Sequence, residues 1–181
     1  NLLTKREVRI QLLADLELPE VGTLLDIGSG SGTIGLEALR LRPKLKLISI
    51  DKRFGSQILV KENAKKLGVL PKKIIESDVK NFLTNDLNNS FSDSNRVVIG
   101  GCDKETKIYI IEFLSKFLKK ADIIVLPIIT YEVLQKVSNC LRQLNYATSI
   151  NLIQTFKGVS ISEGTRFEPN NPVFIIKAKK Q

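Results

Sequence analysis

Histidine is absent from this 181-residue chain, and cysteine occurs only twice, at Cys102 and Cys140. Neither thiol has a companion at metal-ligand spacing. A zinc site and a disulfide framework are therefore excluded, no metal is expected, and a reducing cytoplasm is the default compartment. Long hydrophobic runs are missing too. The longest, Ile123 to Ile129, has seven residues and includes Pro127. That is too short to span a bilayer, and no secretory signal precedes it. Aromatic residues make up only 6% of the chain, and no basic–aromatic segment of the kind that stacks nucleic-acid bases stands out. An initial methionine is also lacking, as in a trimmed chain or a domain cut from a longer one.

What is present describes one globular domain, residues 1–181, with 43% hydrophobic and 26% charged residues and enough length for a sizeable core. Lysine and arginine number 28 against 19 acids, a net charge of +9. That excess suits an anionic partner, either nucleic acid or a polycarboxylate small molecule. It also suits a plain solvated surface, because the lysines are scattered in a chain rich in Lys, Ile and Asn.

Strand and helix signals alternate. Thr4 to about Leu16 reads as an amphipathic helix with Val8, Leu12 and Leu16 on one face, opened by a Thr4–Glu7 capping box. This amino-terminal helix, 4–17, is expected to cover the ligand site. Strands read at Thr23–Ile27, Leu45–Ile50, Lys73–Glu76, Arg96–Ile99 and Asp122–Ile129, with helices at Thr33–Arg42, Gly55–Leu67, Lys104–Lys119 and Tyr131–Leu144. Near-continuous apolar strands separated by helices predict an α/β fold with a parallel sheet covered on both faces. Tyr146–Phe156 and Pro172–Lys179 predict a closing hairpin around a glycine-containing loop. The polar stretch Asn85–Asn95 reads as a mobile surface loop.

The most informative segment is Leu24-Leu25-Asp26-Ile27-Gly28-Ser29-Gly30-Ser31-Gly32, an apolar run ending in an acid and three alternate glycines, followed by a helix. The spacing differs from the Gly-x-Gly-x-x-Gly of dinucleotide binders. It resembles the S-adenosylmethionine pocket of the common α/β methyltransferases, whose Rossmann-like fold has about seven mostly parallel strands and a carboxy-terminal antiparallel hairpin. Asp51 ends the second strand 19 positions beyond Gly32, where a carboxylate can accept both ribose hydroxyls. Asp78 and Val79 follow the third strand, where an acid and a backbone N–H can read an adenine edge. Taken singly, Asp51 is equally a solvated strand-end acid and Asp78 equally a helix cap. A nicotinamide or flavin nucleotide is the competing ligand.

Both ends of the chain go further. Thr4-Lys5-Arg6-Glu7-Val8-Arg9 opens it, Asn171-Pro172-Val173-Phe174-Ile175-Ile176 closes it, and Val98-Ile99-Gly100-Gly101 and Thr130-Tyr131-Glu132 lie between. Over nearly the whole chain this set resembles the decarboxylating precorrin-6B (or cobalt-precorrin) carbon-15 methyltransferases of the cobalamin pathway. The resemblance implies cofactor contacts at Thr4, at Gly28, Ser29, Gly30, Ser31 and Gly32, and at Asp51 and Val79. It also implies a homo-oligomer, and a carbon-5 methyltransferase as a fused domain or separate partner. Two departures stand out: Cys102-Asp103-Lys104 follow the Gly-Gly pair where small residues are usual, and Lys157-Gly158-Val159 replaces the family's Arg-Gly-Arg.

A precorrin is an electron-rich carbon framework bearing ionised acetates and propionates, so its nucleophilic carbon needs no strong base, in keeping with a chain that has no histidine. Lys5, Arg6, Arg9, Lys157 and Arg166 are the candidates to orient those carboxylates; the first three read equally as a solvated helical turn. Gly100 and Gly101 would leave room for a large flat substrate, with Thr130 beside it. Glu132 is the candidate proton donor for decarboxylation, or an ordinary helix-start acid. Cys102 is a nucleophile without a visible activating base. Other readings are an RNA methyltransferase, a non-catalytic binding subunit of the same fold, and base amino-methylation through Asn171-Pro172-x-Phe. Against the last, this motif opens the final strand, where proline has a structural role.

Overall fold

A computed structural model describes residues 5–86 and 91–181. A seven-stranded sheet has the order β3-β2-β1-β4-β5-β9-β6. β1 (Gly22–Ile27), β2 (Leu45–Asp51), β3 (Lys73–Glu76), β4 (Ser94–Ile99) and β5 (Ile123–Ile128) run parallel. β9 (Val173–Lys180) inserts antiparallel between β5 and β6 (Tyr146–Ile153).

Alternation along the strands divides the apolar residues between two cores. Leu24, Leu47, Val98, Val125 and Ile175 face α1 (Arg6–Asp15), α2 (Thr33–Leu41) and α3 (Ser56–Leu67). Leu25, Ile50, Val97, Ile124 and Ile176 face α4 (Val79–Asn85), α5 (Lys104–Leu114) and α6 (Tyr131–Gln143). Burial on both faces explains the unbroken apolar runs Leu24–Leu25 of β1, Val97–Ile99 of β4 and Ile123–Ile128 of β5. The sheet order reverses between β1 and β4, which opens a crevice at their carboxyl ends.

Three expectations need correction. Helix α4 arises where no helix is predicted: Asp78 caps it, its side chain accepting from the Lys80 N–H at 2.8 Å. The 85–95 stretch is not simply a surface loop. Phe91 is 1% exposed, its ring centroid 5.9 Å from Phe82 and 5.3 Å from Phe117, and β4 already begins at Ser94; residues 87–90 lie outside the described residues. The glycine-containing loop near the end is itself a hairpin, β7 (Phe156–Ile161) with β8 (Gly164–Pro169), forming a separate two-stranded sheet. The first helix starts at Arg6 with Lys5 as its cap and no side-chain capping bond. Thr4, and with it the proposed capping box, lies outside the described residues.

Candidate active site

β1 carries its last buried side chain, Ile27, to the crevice and there turns sharply. Gly28 and Gly32 lie at φ 68° and 75°, a region that favours glycine. At Gly28 a side chain would also collide, since its Cβ would sit 2.8 Å from the Gly101 backbone N. The β1 turn and the β4 end thus touch backbone to backbone. The Gly100 N–H donates to Ile27 O at 2.8 Å, and a Cβ at Gly100 would lie 3.0 Å from Gly28 O.

Two carboxyl groups flank the turn. Asp26, 1% exposed, accepts from the Gly35 N–H at 3.1 Å. Burial pushes its carboxyl up to about 7, opposed by the Gly35 N–H and aided by the nearby Asp51 charge. Asp51 ends β2 and is also buried, but it is well supplied with donors. The Gly30 N–H donates to its Oδ2 at 2.7 Å, the Arg53 guanidinium holds both oxygens at 2.8 and 2.9 Å, and the Arg53 N–H adds a bond at 2.9 Å. Burial alone would raise the Asp51 carboxyl, but these donors and the Arg53 charge hold it below the usual carboxylate range.

Beyond β4, the chain passes through Gly100, Gly101 and Cys102 into α5. Lys107 bends back along the helix, and its Nζ donates to Gly100 O at 2.8 Å and to Cys102 O. Its residue is only 5% exposed. Burial pushes the Cys102 thiol up, the Lys107 charge opposing it, so Cys102 has no activation as a nucleophile.

These strand ends open into one cavity of about 650 Å³. Of the predicted residues, Lys5, Gly28, Ser29, Gly30, Gly100, Gly101 and Thr130 line it. The Lys5 Nζ donates to Asn170 Oδ1 at 2.8 Å, tying the first helix to the chain just before Asn171, Pro172 and Val173, which also line it. Ser31 and Gly32 lie behind the turn, buried. Asp78 is the α4 cap, and Val79 is buried in that helix. Arg6 is exposed, and Arg9 pairs with Glu37 at 3.1 Å; neither is on the wall. Lys157 and Arg166 stand on the exposed β7–β8 arm, where Arg166 pairs with Glu168. Glu132 is exposed in the first turn of α6, off the wall, where a helix-start acid sits.

Sequence reasoning assigned no role to Asp26, Arg53 or Lys107, all of which line the cavity. Asp26 had a signal, as an acid inside an apolar strand. Lys107 had another: it shares a helical face with Ile110, Ile111 and Leu114, all buried. Among the described residues no group of three or more acids or thiols could hold a metal ion, and no helix is long and apolar enough to cross a membrane.

A family model described as a precorrin methyltransferase domain matches residues 1–180. The chain is 32% identical over 178 residues to a "Probable cobalt-precorrin-6B C(15)-methyltransferase (decarboxylating)" of Pyrobaculum aerophilum, covering 97% of this chain and 88% of the relative. A protein of the same description from Sulfurisphaera tokodaii is 30% identical over 179 residues, covering 98% and 90%. The crystal structure of a precorrin-6y C5,15-methyltransferase from Geobacter metallireducens superposes with a TM-score of 0.86 at 29% identity, covering 99% of this chain and 92% of that one.

Proposed function

The chain belongs to the precorrin methyltransferase family, and from that premise we propose that it methylates carbon 15 of a precorrin with S-adenosylmethionine and removes the carboxyl of the ring-C acetate as carbon dioxide in cobalamin biosynthesis. The observation that carries this reading is the meeting of the β1 glycine turn and the β4 end in one cavity, where a methyl donor on one and an acceptor on the other come face to face.

The wall suits S-adenosylmethionine. Asp26 is a buried carboxyl facing the cavity with a backbone N–H as its donor and, among the described residues, no cation paired to it, and a cationic ligand supplies the missing charge. When bound, the cofactor brings an activated methyl group on a sulfonium centre. The chain's part is to hold it: bare backbone from Gly28 through Ser29, Gly30 and Ser31 to Gly32 for the methionyl part, Asp51 for the ribose hydroxyls, Asp78 and Val79 for the adenine edge, and Thr4 from the amino-terminal side. Asp51 can accept the ribose only as the Arg53 guanidinium lets go of its oxygens.

Gly100 and Gly101 leave space for the flat substrate, with Thr130 opposite and Lys5 as a cation on the rim. Apolar residues Val8, Ile34, Ile128 and Val133 complete the wall. Decarboxylation of the acetate breaks its carbon–carboxylate bond, releasing carbon dioxide, and the methylene carbon that stays on the ring takes up one proton from solvent. A dry, apolar surface favours that departure because it leaves a carboxylate poorly solvated.

The exposed arm carries Phe156, Ile161 and Phe167, and β6 exposes Ile150 and Leu152, apolar area suited to a homo-oligomer. In such an assembly the arm is the route by which Lys157 and Arg166 reach a neighbouring cavity. With both thiols free, we place the enzyme in the cytoplasm, working beside or fused to a carbon-5 methyltransferase. Incubation with S-adenosylmethionine and precorrin-6B should yield a product with one methyl gained and one carboxyl lost. Saturable RNA binding in a gel shift at physiological salt, with tetrapyrroles leaving cofactor turnover unchanged, would favour the RNA methyltransferase instead.

A further inference from the structure

We infer that Lys107 anchors a carboxylate of the substrate, one that the reaction retains. This rests on the proposed precorrin methylation. Lys107 is an ammonium on the cavity wall, and its residue is 5% exposed. Its acceptors are the carbonyls of Gly100 and Cys102 and, at 3.6 Å, the Cys102 sulfur. Among the described residues no carboxylate lies within salt-bridge distance of it. Two carbonyls hold an ammonium in place but leave its charge uncancelled, and a buried uncancelled charge is costly. Its position adds to the cost: the side chain points back to the amino end of α5, where a cation opposes the helix dipole. An anion arriving in the cavity relieves both penalties.

The sheet order identifies which ligand brings that anion. The cofactor contacts proposed at the ends of β1, β2 and β3 lie on one side of the glycine turn, whereas Lys107 hangs behind the end of β4, on the other. That is the acceptor's side. The anion is also not the carboxylate that departs from the ring-C acetate. An ammonium paired with that group would stabilise the carboxylate, and cleavage to carbon dioxide would have to give the pairing up. Lys107 therefore orients the macrocycle through a carboxylate that stays, while the apolar wall takes the one that leaves.

The test compares wild type with Lys107→Met, which keeps the apolar stem, and Lys107→Arg, which keeps the charge. Binding of uroporphyrin, a polycarboxylate tetrapyrrole, is followed by fluorescence in the presence of S-adenosylhomocysteine, and cofactor affinity is measured by calorimetry. Lys107→Met should weaken uroporphyrin by roughly tenfold or more and leave S-adenosylhomocysteine within about twofold, with Lys107→Arg restoring most of the loss. With precorrin-6B, KM should rise while methylation and decarboxylation fall in step. Should Lys107→Met not fold, Lys107→Gln, which keeps a donor for the two carbonyls, gives the same reading. Unchanged uroporphyrin binding, or an equal loss of cofactor affinity, overturns the anchor alone. Decarboxylation failing while methylation continues overturns the retained-carboxylate assignment. A wild-type protein that binds no tetrapyrrole overturns the substrate class itself.

Discussion

Replacing Asp26 by asparagine should stabilise the empty protein above pH 7 and at the same time weaken its hold on S-adenosylmethionine. The buried carboxyl keeps its proton up to about pH 7, against an ordinary value of 3.8. Between those two values the unfolded chain releases the proton and the folded chain retains it, so raising the pH destabilises the fold, and the loss levels off once the folded group has also ionised. At about 1.4 kcal/mol per pH unit, the full penalty above pH 7 is at most roughly 4 kcal/mol, with roughly 2 kcal/mol already present at pH 5. Asparagine retains an oxygen for the Gly35 N–H but never carries the charge. In a chain of this size the variant should then melt roughly 10 °C higher at pH 8, with a smaller advantage at pH 5. Thermal melts followed by circular dichroism at several pH values read this directly. Calorimetry should show the cofactor bound at least about tenfold more weakly, and wild type should release protons on binding it near pH 7. A melting difference that does not grow with pH, or a variant less stable at pH 8, would refute the reasoning.

Asp51→Ala should weaken S-adenosylmethionine by roughly tenfold or more while the circular dichroism spectrum stays that of the folded protein; unchanged affinity by calorimetry would show the ribose assignment wrong. Phe91→Ala should cost roughly 3–5 kcal/mol in urea unfolding, because the ring is fully buried among Phe82, Phe113 and Phe117. A cost typical of a surface loop would contradict that burial.

The five parallel strands and five of the six helices were legible because burial on both faces makes strands such as Ile123–Ile128 continuously apolar. The glycine turn was legible because its spacing has a backbone reason, visible in the Gly28–Gly101 contact. Helix α4 was hidden by its length: seven residues give too few apolar positions for a period to show. Phe91 was hidden by its polar neighbours, a single core residue in a run of Asn, Ser and Asp. The β7–β8 arm carries no alternation because both of its faces are exposed, so it reads like a loop. Arg53 and Lys107 are charged residues near strand ends, and composition treats them as surface. What makes them part of the site is tertiary: a carboxylate two residues away for one, and the backbone carbonyls of a folded-back loop for the other.

The central claim is a transfer and an expulsion at one cavity, and mass spectrometry of a precorrin-6B incubation addresses it most directly. With S-adenosylmethionine present, the substrate should gain one methyl group and lose one carboxyl group, and Asp51→Ala should suppress both changes together. A substrate returned unaltered by a folded, cofactor-binding protein would contradict the account.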